Sequence, residues 1–222
     1  MDAPQAGSSF HHRALAAAQP VWEALRHHPF LIAVADGSIP DDVFRTWLVQ
    51  DYLFVEAAVP FLGVLLAKAP ARLRPPLADA IVGLHRELDL FRQQAAQHRV
   101  VLAEHEMAPS CHAYGQFLLA SAYGEPLEAG FTVLYAAEQA YLDAWTQVRE
   151  AQRGPSPWQA FIDNWTSPGF HSYVDWLAAT LDELATQTSA ADRVAMERLF
   201  LLTARYEYLF WEMAQSQQRW PV

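Results

Sequence analysis

Apolar residues recur at helical spacing over long stretches of this chain, and clusters of proline and glycine separate the stretches. A repeat of about 3.6 residues is typical of amphipathic α-helices, and no stretch of convincing length alternates as a β-strand does. Because the connections are short, neighbouring helices are expected to run antiparallel, and the pattern predicts an all-α bundle. Helices are predicted over residues 10–28, 40–68, 76–101, 110–123, 126–151, 157–165, 169–186 and 190–217.

Prolines interrupt two of these predicted helices. Pro20 predicts a kink or a break, and Pro60 predicts a bend, because proline lacks the N–H that a helix interior uses. His28-Pro29-Phe30 is expected to end the first helix, since a residue before proline disfavours the helical conformation. Asp36-Gly37 predicts a turn ahead of the second helix. The chain of 222 residues is predicted to be a single domain over 1–222, with 1–9 as a flexible tail.

Charge and cysteine content restrict the class of partner. The formal net charge is −10 with no basic cluster, which argues against nucleic acid as a partner. No run of eighteen uninterrupted apolar residues occurs, so no membrane span is predicted. Cys111 is the single cysteine, which excludes an intrachain disulfide and favours a reducing compartment. A soluble, cytoplasmic protein is the expectation.

Three carboxylates stand on the apolar faces of their helices. At about 100° per residue, Asp51, Glu138 and Glu207 each lie within about 60° of several apolar side chains of the same helix. The flanking residues are Phe44, Trp47, Phe54 and Leu62 for Asp51, Phe131, Leu134, Tyr141 and Trp145 for Glu138, and Phe200, Ala204, Phe210 and Trp211 for Glu207. Each of the three acids is therefore expected to face the core.

Unpaired carboxylates in a dry core are costly, and lysine and arginine are rare on these faces. Three such acids on separate helices favour a shared polar pocket in which burial and mutual repulsion raise at least one pKa. The alternative is that some of them face a helix–helix seam and bond to tyrosines or water. Most of the neighbouring aromatics are expected to be core, with a few able to stack on a flat ligand.

Metal and thiolate chemistry has weaker support in the sequence. No zinc pattern and no inward-facing pair of Glu-x-x-His units occurs, so no metal or other cofactor is predicted. His171 and Asp175 lie one turn apart and form at most a partial ligand pair. Cys111 has only His112 beside it, which gives little support for a thiolate nucleophile.

Motifs at both ends of the chain resemble those of the TenA/THI-4 family. They are His28-Pro29-Phe30, Asp36-Gly37-Ser38-Ile39-Pro40, Phe44 and Val49-Gln50-Asp51-Tyr52, followed near the end by Tyr206-Glu207, Phe210-Trp211 and Met213-Ala214. The resemblance implies a haem-oxygenase-like helical bundle without haem, and a homo-oligomer, either a tetramer or a dimer. It also implies hydrolysis of thiamin, or of its damaged pyrimidine fragments, in thiamin salvage.

The same resemblance implies roles for single residues. Asp51 matches the family acid that hydrogen-bonds the aminopyrimidine, and Glu207 matches the acid that manages protons at the ring and the leaving group. Tyr114 and Tyr141 fall near the family's pocket tyrosines.

Three positions depart from the thiamin-cleaving members of the family. Glu138 stands where they carry a cysteine nucleophile, and Phe54 and Trp165 stand where others have tyrosines. This pattern resembles the cysteine-less, glutamate-bearing branch, which favours aminomethylpyrimidine and its N-formyl derivative.

The leading hypothesis is therefore an aminopyrimidine aminohydrolase that cleaves a C–N bond. Glu207 and Glu138 are the expected catalytic residues, and Asp51, Phe54, Tyr114, Tyr141 and Trp165 are the expected substrate-binding residues. Two alternatives stay open: a di-metal oxidase on the same fold, with ligands such as His171, and a non-catalytic pyrimidine-binding or regulatory protein.

Overall fold

The computed structural model describes residues 9–102 and 105–221. Within these residues the fold is all-α, as predicted from the sequence, and no β-strand occurs in this part of the chain. A short 3₁₀ turn, Ala71–Leu73, precedes the fourth helix. The α-helices are α1 Phe10–Arg26, α2 Pro29–Asp36, α3 Asp41–Lys68, α4 Arg74–Gln97, α5 Pro109–Gly124, α6 Leu127–Ala151, α7 Gln159–Trp165, α8 Pro168–Thr186 and α9 Ala190–Gln215.

Three long helices, α3, α6 and α9, meet at the centre of the bundle. Helices α4 and α5 pack against α3, while α1, α2, α7 and α8 pack against α6 or α9. Helix α6 is buried on more than one face, and the polar Thr132 is fully buried. Its hydroxyl donates to the Glu128 carbonyl one turn earlier, so its burial leaves no unpaired polar group.

An aromatic cluster around Trp47 joins α3, α4, α6 and α7. The Trp47 ring is tilted against that of Trp145 and edge-on to that of Phe161, with centroid distances of 5.4 Å and 5.1 Å. Trp165 stacks on Trp145 at 5.2 Å and on Phe161 at 5.7 Å. These large rings bury extensive apolar area and hold the four helices at defined separations.

Helix α2 was not among the predicted helices. Helix α1 ends at Arg26, two residues before the predicted His28, and the chain turns at once into Pro29–Asp36. The Nδ1 atom of His28 accepts the backbone N–H of Phe30 at 3.2 Å, and Pro29 occupies the first turn, where its missing N–H costs nothing. Gly37 closes α2 with a φ of 78°, a left-handed conformation that glycine adopts freely. Histidine is an uncommon N-cap, which is why the pattern did not reveal the helix.

The prediction of a break at Pro20 is wrong, because α1 runs without interruption from Phe10 to Arg26. The proline removes the hydrogen bond to the carbonyl of Ala16, and both residues lie on the exposed side of the helix. Water can solvate that carbonyl, so the helix continues. Helix α3 likewise continues through the exposed Pro60.

Helix α4 ends four residues before the predicted 101. Arg99 takes a φ of 56°, and the backbone N–H of Val100 donates to the Ala95 carbonyl at 2.8 Å. This left-handed residue and its returning hydrogen bond are typical of a helix C-terminus. Arginine at such a position carries no sequence signal, because glycine or asparagine is the usual marker.

Helix α3 is long and apolar enough to cross a membrane by length and composition, because its most apolar 18-residue stretch has a mean hydropathy of 1.5. In the structure the helix packs against α4, α5 and α9, and half of that stretch is buried. Core packing accounts for its composition, and the absence of a membrane partner stays a prediction. The predicted tail 1–9 lies outside the described residues except for Ser9.

Helix α9 begins with a capping box, which provides a test of the fold. The Ser189 hydroxyl accepts the Asp192 N–H at 3.2 Å, and the Asp192 carboxylate accepts the Ser189 N–H at 3.3 Å. We expect Ser189→Ala to lower the unfolding free energy by about 1 kcal/mol, which corresponds to a melting temperature about 2–4 °C lower. Differential scanning calorimetry measures this change. Gln93→Ala, on the exposed face of α4, is the control and should leave the melting temperature nearly unchanged; an equal fall in both variants contradicts the prediction.

Candidate active site

A small cavity of about 60 Å³ lies between α3, α4, α6 and α9. Four carboxyl groups reach it from four different helices: Asp51 from α3, Glu87 from α4, Glu138 from α6 and Glu207 from α9. The rest of the lining is apolar or aromatic: Phe54, Val55, Ala58, Phe61, Leu62, Leu84, Leu118, Leu134, Ala137, Tyr141 and Trp165. The three acids singled out from the sequence thus converge on one pocket.

Asp51 is almost completely buried, with 1% of its surface exposed. The Tyr141 hydroxyl donates to its Oδ1 at 2.7 Å, while Oδ2 has no hydrogen-bond partner among the described residues. Burial raises the pKa of Asp51 well above the usual range, the Tyr141 bond lowers it in part, and the nearby charge of Glu87 raises it further. The tyrosine therefore satisfies one oxygen and leaves the other for a ligand.

Glu207 repeats this arrangement on α9. It is fully buried, the Tyr114 hydroxyl donates to its Oε1 at 2.5 Å, and Oε2 has no partner among the described residues. Burial is the main cause that raises the pKa of Glu207 well above its usual value; the Tyr114 bond opposes it, and the charges of Asp51 and Glu138 add to it. A buried acid with a raised pKa can hold a proton near neutral pH.

Glu138 differs from the other two acids because it is only partly buried. The Tyr173 hydroxyl lies 3.5 Å from its Oε1, a long hydrogen bond, so this carboxyl group has little support from its neighbours. Burial, together with the charge of Glu87, raises the pKa of Glu138 to about 8. Glu138 thus sits at the mouth of the cavity rather than at its base.

The five predicted binding residues also come together, in two layers. Asp51, Phe54, Tyr141 and Trp165 line the cavity, with the Tyr141 and Trp165 rings edge-on at 5.3 Å. Tyr114 does not line the cavity; it lies behind Glu207, with its ring 4.6 Å from that of Phe54. Phe54, Tyr141 and Trp165 thus provide aromatic surface beside the acids, on which a flat heterocycle can pack.

Glu87 was missed by the sequence reasoning. The same helical projection would have found it, because the apolar Ala80, Leu84 and Phe91 lie within about 60° of it on α4. Its Oε1 accepts the Asn164 side-chain amide at 3.1 Å, and Trp165 also hydrogen-bonds to it. Burial raises the pKa of Glu87 to about 7 against the lowering effect of these two bonds.

The candidates for metal or thiolate chemistry lie elsewhere. His171 is exposed on α8, and no histidine lines the cavity in the part of the chain that the structure describes. The described residues contain no group of three or more His, Cys, Asp and Glu side chains arranged to hold a metal ion. The ligand set of the oxidase alternative is therefore not assembled there. Cys111 is buried outside the cavity lining, and its thiol donates to the Gln50 carbonyl at 3.4 Å.

Comparison with known proteins identifies relatives along most of the chain. The sequence model of the TENA/THI-4/PQQC family matches residues 15–217. An aminopyrimidine aminohydrolase of Halalkalibacterium halodurans is 29% identical over 212 residues, which cover 91% of this chain and 94% of that protein.

Solved structures agree with the fold. A TenA homologue from Pyrococcus furiosus superposes with a TM-score of 0.91 at 33% identity, covering 92% of this chain and 99% of the other. A protein with a haem-oxygenase-like fold from Shewanella denitrificans, at 11% identity, superposes with a TM-score of 0.75 over 93% of this chain and 92% of its own. The second likeness supports the fold alone, and it agrees with the haem-oxygenase-like bundle expected from the sequence.

The raised pKa values predict how stability depends on pH. An unfolded glutamate loses its proton near its ordinary pKa, whereas folded Glu138 keeps it until about 8. Between these values the folded state binds more protons, so the free energy of unfolding should fall as pH rises from 5 to 8. Glu138→Gln should reduce that fall by at least about 1 kcal/mol, measured by urea denaturation at both pH values.

The matched control is Glu150→Gln, an exposed position on the same helix whose side chain has no hydrogen bond or ion pair to the described residues. It should leave the slope of stability against pH unchanged. If Glu138→Gln and the control give the same slope, Glu138 does not have the raised pKa.

Proposed function

We propose that this chain, which belongs to the TENA/THI-4/PQQC family, hydrolyses a C–N bond of an aminopyrimidine in thiamin salvage. The substrate is an aminopyrimidine with an aminomethyl or formylaminomethyl substituent, and the related aminopyrimidine aminohydrolase supports this class. One observation supports the proposal most. Asp51 and Glu207 are buried carboxyl groups in the lining of the aromatic cavity, and each has one oxygen with no hydrogen-bond partner among the described residues. An aminopyrimidine has a flat ring, an exocyclic amine and ring nitrogens to fill those positions.

Asp51 binds the ring in this proposal. Its Oδ1 is held by Tyr141, so the orientation of the carboxyl group is set before a ligand arrives. The free Oδ2 accepts a hydrogen bond from the exocyclic amine of the pyrimidine. Phe54 and Trp165 pack against the ring and exclude water from it.

Glu207 acts as the general acid or base. Tyr114 holds one of its oxygens at 2.5 Å, and the other oxygen is left to exchange a proton with the ring or the leaving group. Burial raises the pKa of Glu207, so its carboxyl group keeps a proton more readily than an exposed glutamate and can donate it to the ring or the leaving group.

Glu138 activates the attacking water or, in a second version, forms a covalent adduct itself. The chain has one cysteine, Cys111, whose thiol is buried outside the cavity lining and whose pKa is raised by burial. The Cys111 thiol is therefore not available as a thiolate at the cavity. We assign the chain to the branch of the family in which a glutamate takes the place of the nucleophilic cysteine.

Several properties belong to the same proposal. The chain acts as a single domain over residues 1–222, forms a homo-oligomer (a tetramer or a dimer), and works in the cytoplasm without a cofactor. Its partner is a small pyrimidine rather than nucleic acid or membrane, and the net charge of −10 is consistent with this.

The experiment supplies 4-amino-5-aminomethyl-2-methylpyrimidine and its N-formyl derivative to the purified protein. Chromatography then measures the hydroxymethyl product, and coupled assays measure ammonia and formate. We expect turnover of at least one substrate, with Glu207→Gln and Glu138→Gln each lowering kcat by about 10²–10⁴-fold. Asp51→Asn should chiefly raise KM, because it removes a ring contact present before and during the reaction.

Glu197→Gln, at a partly buried position of α9 outside the cavity lining, is the matched control for Glu207→Gln and should retain wild-type turnover. Unchanged turnover in both catalytic variants would show that the assigned roles are wrong. Tight pyrimidine binding without turnover in the wild type would favour the non-catalytic alternative instead.

A further inference from the structure

Glu87 lies where two cavities meet. The inner cavity with Asp51 and Glu207 shares Leu84, Glu87 and Glu138 with a larger outer cavity of about 540 Å³ between α4, α7 and α8. Phe170, Tyr173 and Trp176 of α8 line the outer cavity. Glu87 and Glu138 therefore both lie at the mouth, where the outer cavity opens into the inner one. The mouth is on the route from solvent to the buried acids.

The Glu87 carboxyl group is held in place from one side. The Asn164 amide donates to Oε1 at 3.1 Å, and Trp165 of the same short helix also hydrogen-bonds to the group. Asn164 and Trp165 are themselves fixed by α7, since Trp165 stacks in the aromatic cluster around Trp47. These contacts fix the direction of the carboxyl group and leave acceptor capacity for a ligand, since an ionised carboxylate offers about four acceptor sites.

The lining of the inner cavity is acidic. Among the described residues that line it there are four carboxyl groups and no lysine, arginine or histidine, while Arg86 and Asp79 line the outer cavity. The charge of Glu87 contributes to the raised pKa of both Asp51 and Glu138, so the four acids act on one another through the cavity. A cation placed at the mouth would relieve this repulsion, whereas an anion would increase it.

We propose that Glu87 is the ligand for the cationic aminomethyl group of the substrate and selects it over neutral substituents. The inference rests on the proposed function. With the pyrimidine ring held by Asp51 in the inner cavity, a substituent directed to the mouth reaches Glu87 and Glu138. An ammonium group there forms a charge-assisted hydrogen bond with Glu87 in a partly desolvated position.

The different roles of Glu87 and Glu138 follow from their contacts. Glu87 is anchored by Asn164 and Trp165 and suits binding, while Glu138 has only the long contact to Tyr173 and is free to accept a proton. In the reaction the water oxygen bonds to the methylene carbon, and the electron pair of the C–N bond goes to nitrogen. Ammonia leaves from the ammonium group, one proton of the water goes to the ionised carboxylate of Glu138, and the other proton stays on the hydroxymethyl oxygen.

Ionisation of Glu87 gives this site a pH dependence. The pKa of Glu87 is raised to about 7 by burial, so in the free protein its carboxyl group gains a negative charge as pH rises through that value. Affinity for the cationic substrate should increase over the same interval, as long as the amine of the ligand keeps its proton. The neutral hydroxymethyl product should show no such increase.

The test compares Glu87→Gln with the wild type on a cationic and a neutral ligand. We expect the Kd of aminomethylpyrimidine, or its KM where turnover occurs, to rise about 10–100-fold, as for loss of a hydrogen bond to a charged group. The Kd of hydroxymethylpyrimidine, measured by calorimetry, should change less than about 3-fold. In the variant the increase of affinity for the cation between pH 6 and pH 8 should become smaller, because only Glu138 at the mouth still gains charge in this interval, and Glu87→Asp should restore part of the loss.

Glu150→Gln, which removes the same charge at an exposed site, should behave as the wild type. Equal weakening of the cationic and the neutral ligand by Glu87→Gln, or no weakening of either, overturns the proposal. Calorimetry distinguishes failure of the proposed hydrolysis from failure of the role proposed for Glu87. If the wild type binds both ligands without turnover, the proposed hydrolysis fails while the selectivity of Glu87 is still measured. If the wild type turns over and Glu87→Gln keeps the wild-type preference, only this inference fails.

Discussion

The cost of burying carboxyl groups is the constraint on which the rest of the site depends. Asp51 and Glu207 lie in a nearly dry interior, where an unpaired charge would be strongly unfavourable. Each acid therefore takes one hydrogen bond from a buried tyrosine, Tyr141 and Tyr114 respectively, and each has a raised pKa. The same burial that threatens stability favours the protonated form of each acid, which can donate its proton to a ligand.

Aromatic packing converts this constraint into a defined geometry. The cluster around Trp47 sets the separations of α3, α4, α6 and α7, and Trp165 belongs both to that cluster and to the cavity wall. Through its hydrogen bond to Glu87, Trp165 also connects the core to the mouth of the cavity. The cavity beside the acids is small, about 60 Å³, and its wall includes the rings of Phe54, Tyr141 and Trp165, which favours a flat ring over a bulky ligand.

Most of the helices could be predicted from the sequence, because proline and glycine mark their ends and apolar spacing marks their faces. The misses have local physical causes. Helix α2 begins with His28 as an N-cap, and α4 ends at a left-handed Arg99, so neither end carries the usual residue. Pro20 does not break α1 because its side of the helix faces solvent. His28 also shows that a family-like motif residue can serve the fold, since it caps a helix.

The sequence by itself determined that the chain is helical and that Asp51, Glu138 and Glu207 stand among apolar neighbours, because helical periodicity is a local property. Only the tertiary structure decided that these acids share one cavity and that Glu87 completes the set. It also separated the deep acids, Asp51 and Glu207, from Glu138 and Glu87 at the mouth. The physical reason is that depth and distance between helices depend on how side chains such as Trp165 pack across them, and no single helix contains that information.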